Sequence, residues 1–281
     1  MYDIKILQNL ALECRKRLTT MTFRAKTGHI GGSLSSVDII VALYHGVMKI
    51  NPKNPDWENR DRFVLSKGHS VEGYYAALAS RGYFPIEELD TYCQFNSRFT
   101  GHPNIKIPGV DMCTGALGHG LPVATGMALA GKMNGQDYKV YTLMGDGEQD
   151  EGSNWEAAMA AAKFGLDNMV GIIDRNRLQI SGITEDIMPI ENLLEKYRSF
   201  GWKVSEVDGH NMAQLVETFE NLPFEKGSPN LIIANTTKGK GISFMENQVK
   251  WHHGVLDGEQ YAKAMEELGA TLEEVSEECA N

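Results

Sequence analysis

Met144-Gly145-Asp146-Gly147-Glu148, answered thirty positions on by Asp174-Arg175-Asn176, is the part of the sequence that decides the fold. Each half closes a short apolar run, 140–144 and 169–173. Such runs read as buried strands of a parallel sheet. In open α/β sheets, ligands bind beyond the carboxyl ends of the strands. The spacing thus sets a carboxylate and an amide side by side at a sheet's binding edge. That pairing suits a hard divalent cation carrying a diphosphate.

Working outward, strand and helix patterns alternate. A first helix begins after Asp3, with apolar positions Ile6, Leu7, Leu10, Leu18 and Met21. Further helices are predicted over 35–48, 70–80, 86–95, 121–133, 155–164, 190–200 and 212–221. Strands are predicted over 62–65, 202–207 and 231–236. The alternation predicts an α/β fold, a parallel sheet with helices on both faces. No internal repeat or low-complexity linker divides the chain, so residues 1–281 read as a single domain.

Composition narrows the classes. Lys and Arg number 27 against 37 Asp and Glu, a net charge of −10 with no basic stripe, which argues against nucleic acid. No apolar run is read as long enough to span a membrane, and the first residues do not form a secretory signal. Cys14, Cys93, Cys113 and Cys279 lie far apart, which predicts neither a metal cluster nor a disulfide framework and suggests a reducing cytoplasm. The acidic residues Glu266, Glu267, Glu273, Glu274, Glu277 and Glu278 read as a solvated terminal helix or tail.

A bound Mg²⁺ wants oxygen ligands in a near-octahedral shell. Asp146 offers a carboxylate, Asn176 a side-chain carbonyl and Leu178 a backbone carbonyl, with phosphate oxygens and water left to complete the set. Gly145 and Gly147 would let the backbone turn sharply beside a phosphate. A helix entered near Ser153 would aim its N-terminus at the same edge. Two other readings of the motif fail. A calcium EF-hand loop needs glycine at its sixth position, where Glu151 stands. A phosphatase with an aspartyl nucleophile needs an Asp-x-Asp, and the sequence has none.

Five of the eight histidines directly follow a glycine: His29, His69, His102, His119 and His210. With 29 glycines in 281 residues, chance would give about one. No pair has the close spacing of a zinc site. Imidazoles presented on loops at strand and helix ends instead suit a polar pocket that binds hydroxyls and phosphate and moves protons. His45 falls within a helical pattern and reads as structural. His210, in Asp208-Gly209-His210-Asn211, reads as a turn and helix cap.

Taken together, Gly28-His29, Ser66-Lys67-Gly68-His69, Gly101-His102-Pro103, Thr114-Gly115-Ala116-Leu117-Gly118-His119-Gly120, Asp146-Gly147, Asn176 and Trp251-His252 resemble the N-terminal, diphosphate-binding part of transketolase over nearly the whole chain. The resemblance implies a thiamine-diphosphate-binding fold. It implies thiamine diphosphate as cofactor, with Mg²⁺ held by Asp146, Asn176 and the Leu178 carbonyl, and Ca²⁺ or Mn²⁺ able to substitute. Gly147, His69 and His252 would contact the diphosphate, and Gly115 and Leu117 the aminopyrimidine. His29, His69, His102 and His252 would serve catalysis, the first three lining the substrate channel. Lys238 would be a further cofactor-loop contact, and Glu151 would sit at an interface with another chain, near the partner's catalytic glutamate. The doubled His252-His253 leaves open which ring faces the cofactor. His119 and Ile30 depart from the family's usual residues.

A complete transketolase has two further domains, one of which carries that glutamate, and no region of this chain matches them. The resemblance therefore implies one subunit of a split transketolase. It would transfer a two-carbon ketol unit from a ketose phosphate to an aldose phosphate, as in the pentose phosphate pathway. It would need a separate C-terminal, pyrimidine-binding subunit, in a heterotetramer of two plus two chains. Other thiamine-diphosphate enzymes, of the 2-oxoacid dehydrogenase α type or the deoxyxylulose-phosphate-synthase type, are alternatives that the histidine contexts disfavour. A non-catalytic diphosphate-binding scaffold would explain Asp146 and Asn176 but not the histidines. The particular sugars stay open.

Overall fold

The computed structural model describes residues 2–271, so Glu273, Glu274, Glu277, Glu278 and Cys279 lie outside the described residues. Helix α1 (Ile4–Ala25) starts at Asp3, whose carboxylate accepts from the backbone amides of Lys5 and Ile6 at 2.9 and 3.2 Å. This satisfies two of the amides that a helix start leaves without partners. It is followed by α2 (Ile30–Val41), which runs on as a π-helical turn Ala42–Val47, then β1 (Arg62–Leu65), α3 (Val71–Arg81) and a 3₁₀ turn Ile86–Thr91. Next come α4 (Gly120–Met133), β2 (Val140–Gly145), a 3₁₀ turn Gly147–Asp150, α5 (Gly152–Lys163) and β3 (Met169–Arg175). A small excursion follows: the hairpin β4 (Leu178–Gln179) and β5 (Gly182–Ile183), α6 (Thr184–Ile187) and α7 (Leu193–Ser199). The described chain closes with β6 (Lys203–Asp208), α8 (Met212–Glu220), β7 (Asn230–Asn235) and α9 (Gly258–Glu267).

The main sheet runs β1-β2-β3-β7-β6, parallel throughout. Side chains alternate between its faces, as strand geometry requires. Tyr141, Leu143, Val170, Ile172, Ile232 and Ala234 enter one core with α1, α2, α3, α8 and α9. Val140, Met144, Met169, Ile173, Leu231 and Ile233 enter another with α4, α5 and α7. The expected sheet with helices on both faces is what forms. The register sets Gly145 opposite Asp174, and Asp174 opposite Ala234. The carboxyl ends of β2, β3 and β7 are therefore level, and the motifs that follow them converge.

Several boundaries differ from expectation. The second helix starts at Ile30, not at residue 35, because buried Gly31 and Gly32 admit close neighbours rather than stopping the helix. A Cβ on Gly31 would lie 2.6 Å from the Trp251 carbonyl oxygen, and one on Gly32 2.5 Å from Ser70 Oγ. The segment Ile30–Val47 is also long and apolar enough to cross a membrane by composition, contrary to the sequence reading. Its window is 83% buried within the protein, which is how a core helix looks. The helix expected over 86–95 is only the 3₁₀ turn, and that over 190–200 shrinks to α7. Glu266 and Glu267 are exposed at the end of a helix, as expected, while the opposite face of that helix is buried. Helix α9 opens with a capping box between Asp257 and Gln260 and buries Tyr261, Ala264 and Met265.

Candidate functional site

Beyond the level ends of β2, β3 and β7 lies a cleft of about 270 Å³. Its walls include His29, His69, Gly115, Leu117, Asp146, Gly147, Asn176, Leu178, Lys238 and His252. These come from well-separated stretches of sequence.

The Asp146 carboxylate is only 2% exposed as a residue and is held on both oxygens. Oδ1 accepts from the Gly147 amide at 2.8 Å. Oδ2 accepts from the Arg177 amide and from Arg175 Nη1, the latter at 3.1 Å. The bond to Arg177 brings the β2 end against the Asn176 turn. Asp174 orients Asn176 by accepting from its Nδ2 at 3.3 Å, which leaves the amide oxygen free to accept, here from the Leu178 amide at 3.2 Å. The Leu178 carbonyl accepts from Lys238 Nζ at 3.1 Å, so that oxygen already faces a cation. Burial lifts the Asp146 carboxyl above its ordinary range, and the Asp174 charge adds to it, against the pull of Arg175. One carboxylate, one amide oxygen and one backbone carbonyl form an all-oxygen donor set of the kind Mg²⁺ takes. A buried carboxylate with too little positive charge beside it fits the same cation. Among the described residues, no group of three His, Cys, Asp or Glu is placed to hold a metal.

The sequence reading assigned no role to Lys67 or Asp174; the structure puts Lys67 in the cleft wall, paired with Asp174 behind it. Lys67 Nζ donates to the Asp174 carboxylate and, at 2.8 Å, to the Gly32 carbonyl. Asp174 also accepts from Ser35 Oγ at 2.6 Å and from Thr236 Oγ1. Burial would raise this carboxyl, but Lys67 and the hydroxyl donors outweigh it and hold it below the usual range. Glu148 was missed as well. Its buried carboxylate accepts from Ser66 Oγ, the Gly118 amide at 2.9 Å and the Gly145 amide at 2.9 Å, locking three site loops together. The signal for Lys67 was a lysine inside a motif already quoted; for Glu148 it was the residue closing the opening motif.

Four imidazoles gather around His29. Its ring centroid lies 5.2 Å from His69, 6.3 Å from His102, 5.7 Å from His252 and 4.7 Å from His253. His69 and His252 stack at 5.2 Å. Glu72, fully buried, holds the entry to α2 by accepting from the His29 amide, Ser33 Oγ and Tyr92 Oη. Burial pushes His29 down to about 4, with His253 and His102 adding. Burial pushes His252 down to about 3, with the Lys238 charge adding. His69 is driven well down by burial and then by Lys67. These rings are neutral hydrogen-bonding groups at neutral pH. Lys238 Nζ donates to His252 Nδ1 at 2.8 Å, which fixes that ring with its hydrogen on Nε2. The doubled pair is thus divided: His252 lines the cleft, and His253 flanks His29. Burial, then Lys67, lowers Lys238 to about 8.

Not every expected residue lines the cleft. The ring of His102 packs on Gly115, where a Cβ would come 3.1 Å from its Cδ2, so it joins the imidazole cluster just outside the wall. Glu151 is exposed at the start of α5, against Gly118. Residues 152–154 do not line the cleft either, so α5 does not bring its N-terminus to it as expected; the 3₁₀ turn Gly147–Asp150 intervenes. Gly145 and Gly147 lack positive φ, so a sharp turn is not their role. A Cβ on Gly147 would instead strike Gln179 at 2.8 Å. His119 is exposed beside its own Leu117 carbonyl, and His45 bonds Ser80 Oγ at 2.8 Å far from the cleft.

Comparison with known proteins agrees with this geometry. Residues 8–278 match the family model described as "Transketolase, thiamine diphosphate binding domain". The chain is 50% identical over 276 residues to an apulose-4-phosphate transketolase subunit of Phocaeicola vulgatus, covering 98% of each. It is 45% identical over 263 residues to a 6-deoxy-6-sulfo-D-fructose transketolase subunit of a Clostridium species, covering 93% of this chain and 96% of that protein. The crystal structure of Campylobacter jejuni transketolase superposes with a TM-score of 0.90 at 35% identity, over 96% of this chain but 43% of that one. The chain thus spans nearly all of these subunit relatives and less than half of that longer transketolase. It belongs to the transketolase family and represents the family's thiamine-diphosphate-binding domain.

Proposed function

We propose that this chain is the cofactor-binding subunit of a split transketolase, which moves a two-carbon ketol unit from a ketose phosphate to an aldose phosphate. The observation that carries the reading is the convergence in one cleft of an all-oxygen cation set, a lysine and a cluster of neutral imidazoles. Asp146, Asn176 and the Leu178 carbonyl would hold Mg²⁺. Lys238, His69 and His252 would face the diphosphate, and Gly115 and Leu117 the aminopyrimidine. Thiamine diphosphate supplies the carbon-centred chemistry when bound.

The chain's own residues do the positioning and the proton handling. Gly147 lets the turn after β2 pack directly against Gln179. Neutral His29 and His69 accept or donate hydrogen bonds to sugar hydroxyls without charge, because burial disfavours their cations. His102 stands at the rim, where an incoming ketose would pass. The buried walls exclude water from the reacting centre.

Two of the relatives are themselves named as transketolase subunits, and the longer single-chain transketolases continue past the matched region. These support a separate companion chain; a pyrimidine-binding partner, a two-plus-two assembly and a reducing cytoplasm complete the proposal. The relatives' differing sugars leave this chain's donor and acceptor to be measured. The test is calorimetry and turnover with the companion present and absent. Mg²⁺-dependent binding of thiamine diphosphate and ketol transfer only by the pair are expected. Robust turnover by the single chain would overturn the split-enzyme reading, and no binding by the pair would overturn the cofactor assignment.

A further inference from the structure

His210, which the proposed function leaves without a role, stands between two buried elements and the loop that carries Lys238. The turn Asp208-Gly209-His210 follows β6. There the Gly209 amide donates to the Asn235 carbonyl at 2.8 Å, and the His210 amide donates to Asp208 Oδ1 at 2.9 Å. The imidazole is thereby aimed inward and is 13% exposed. Its Nδ1 lies 2.7 Å from Asp38 Oδ2 in α2, and its Nε2 accepts from the Thr237 amide at 2.8 Å. A carboxylate can only accept and a backbone amide can only donate. The ring therefore bears its hydrogen on Nδ1 and presents a bare Nε2 to Thr237.

Asp38 is itself fixed by Arg15 of α1, which donates from Nη1 at 3.1 Å and from Nη2 at 2.5 Å. Arg15 Nε also reaches the Lys240 carbonyl at 3.3 Å. The loop after β7 is thus tied at Thr236 to Asp174, at Thr237 to His210, at Gly239 to the Gly31 carbonyl, and at Lys240 to Arg15. Lys238 lies in the middle of these ties, with its ammonium at the Leu178 carbonyl and His252. A lysine has four side-chain torsions, so fixed backbone on each side is what makes its ammonium position reproducible.

The geometry points to His210 as a positioning residue: a neutral imidazole relay from the Arg15–Asp38 pair to the Thr237 amide that holds Lys238 at the diphosphate wall. This rests on the cofactor reading above. No other described hydrogen bond reaches the Thr237 amide, so losing the imidazole leaves a part-buried donor without its acceptor. Glutamine is the conservative substitute, since one amide offers a donor and an acceptor about as far apart as the two ring nitrogens.

The test uses the full chain with its companion and three variants: His210→Phe, His210→Gln, and Val216→Ala in α8 as a stability control outside the network. Thiamine diphosphate binding is titrated at fixed Mg²⁺. His210→Phe should weaken binding roughly tenfold or more, as the loss of a buried hydrogen-bond partner implies, while kcat at saturating cofactor stays within about twofold. His210→Gln should recover most of the affinity, and Val216→Ala should leave it unchanged. An unaltered affinity in His210→Phe, or an equal loss in Val216→Ala, overturns the proposal. Hydrogen exchange of residues 236–241 in cofactor-free protein is the second readout. His210→Phe should speed it about tenfold or more, and unchanged exchange also overturns the relay. If the wild-type pair binds no thiamine diphosphate, the cofactor reading fails, and the exchange result still decides the relay.

Discussion

Replacing Lys67 with methionine tests whether the buried ion pair at the cleft wall organises the fold. The Lys67 and Asp174 side chains are 2% and 0% exposed. Methionine keeps much of the stem's volume and removes only the ammonium. Asp174 would keep three neutral donors, from Ser35, Thr236 and Asn176. A net bond to a charged group is worth about 1.5–3 kcal/mol, but these three exist in the wild type too and cannot replace the lost cation. Breaking a buried pair by removing one partner costs about 3–5 kcal/mol. At roughly 2–4 °C per kcal/mol for a domain near this size, Lys67→Met should melt about 10 °C lower. The assay is chemical and thermal unfolding of cofactor-free protein, followed by circular dichroism. The companion variant Lys67→Met/Asp174→Asn removes both charges. It should be more stable than Lys67→Met alone, because no carboxylate is then stranded. A loss below about 1 kcal/mol in the single variant, or a double variant less stable than the single, would refute the claim that the charge pair, rather than packing, is at stake.

The remaining predictions concern the site and the pH response. Asp146→Asn should raise the Mg²⁺ concentration needed for cofactor binding by roughly a hundredfold or more, since even outer partners of a metal ligand cost about 10–100-fold; a titration of binding against Mg²⁺ measures it. His102→Ala should lower kcat/KM for the ketose by about 100-fold if it handles a proton, with cofactor affinity little changed. Steady-state kinetics at saturating cofactor, with unchanged donor parameters, would contradict it. Gly120→Ala would set a Cβ 2.2 Å from Ser66 Oγ and 2.8 Å from Ser66 Cα. Overpacking there should cost about 1–3 kcal/mol and loosen the Glu148 contacts, seen as a lower unfolding midpoint. Burial, helped by Arg81, holds His45 down to about 4, against about 6.5 in the unfolded chain. The folded state thus favours the neutral ring. Its contribution is complete above about pH 6.5 and is lost as pH falls toward 4. At pH 5 the loss should be about 1 kcal/mol, after discounting for the ring's partial exposure. His45→Gln should therefore show a shallower fall in stability between pH 7 and 5 than the wild type, and parallel curves would sink the assignment.

How much of this was legible depends on what kind of force fixes each residue. The sheet was readable because β1, β2, β3 and β7 are apolar runs, and a strand buried on both faces has little other way to look. Helix starts were readable where a side chain caps them, as at Asp3. They were not readable at Ile30, where the helix begins through two glycines that composition alone marks as breakers. Those glycines are required by contacts with Trp251 and Ser70, about 220 and 38 residues away. The same distinction runs through the site. Asp146 and Asn176 announce themselves because oxygen donors at that spacing are what the proposed Mg²⁺ would take. Lys67, Glu148 and His210 have roles that no motif assigns. Each is defined by its partners: Asp174, 107 positions away; Ser66, 82 positions away; and Asp38, 172 positions away. A sequence pattern reports groups that meet a ligand of known chemistry. It does not report groups whose ligand is the protein itself, because many different partners could satisfy the same charge. The supporting polar network of this cleft is accordingly where folding information is most long-range, and where substitutions such as Lys67→Met should couple stability most strongly to cofactor affinity.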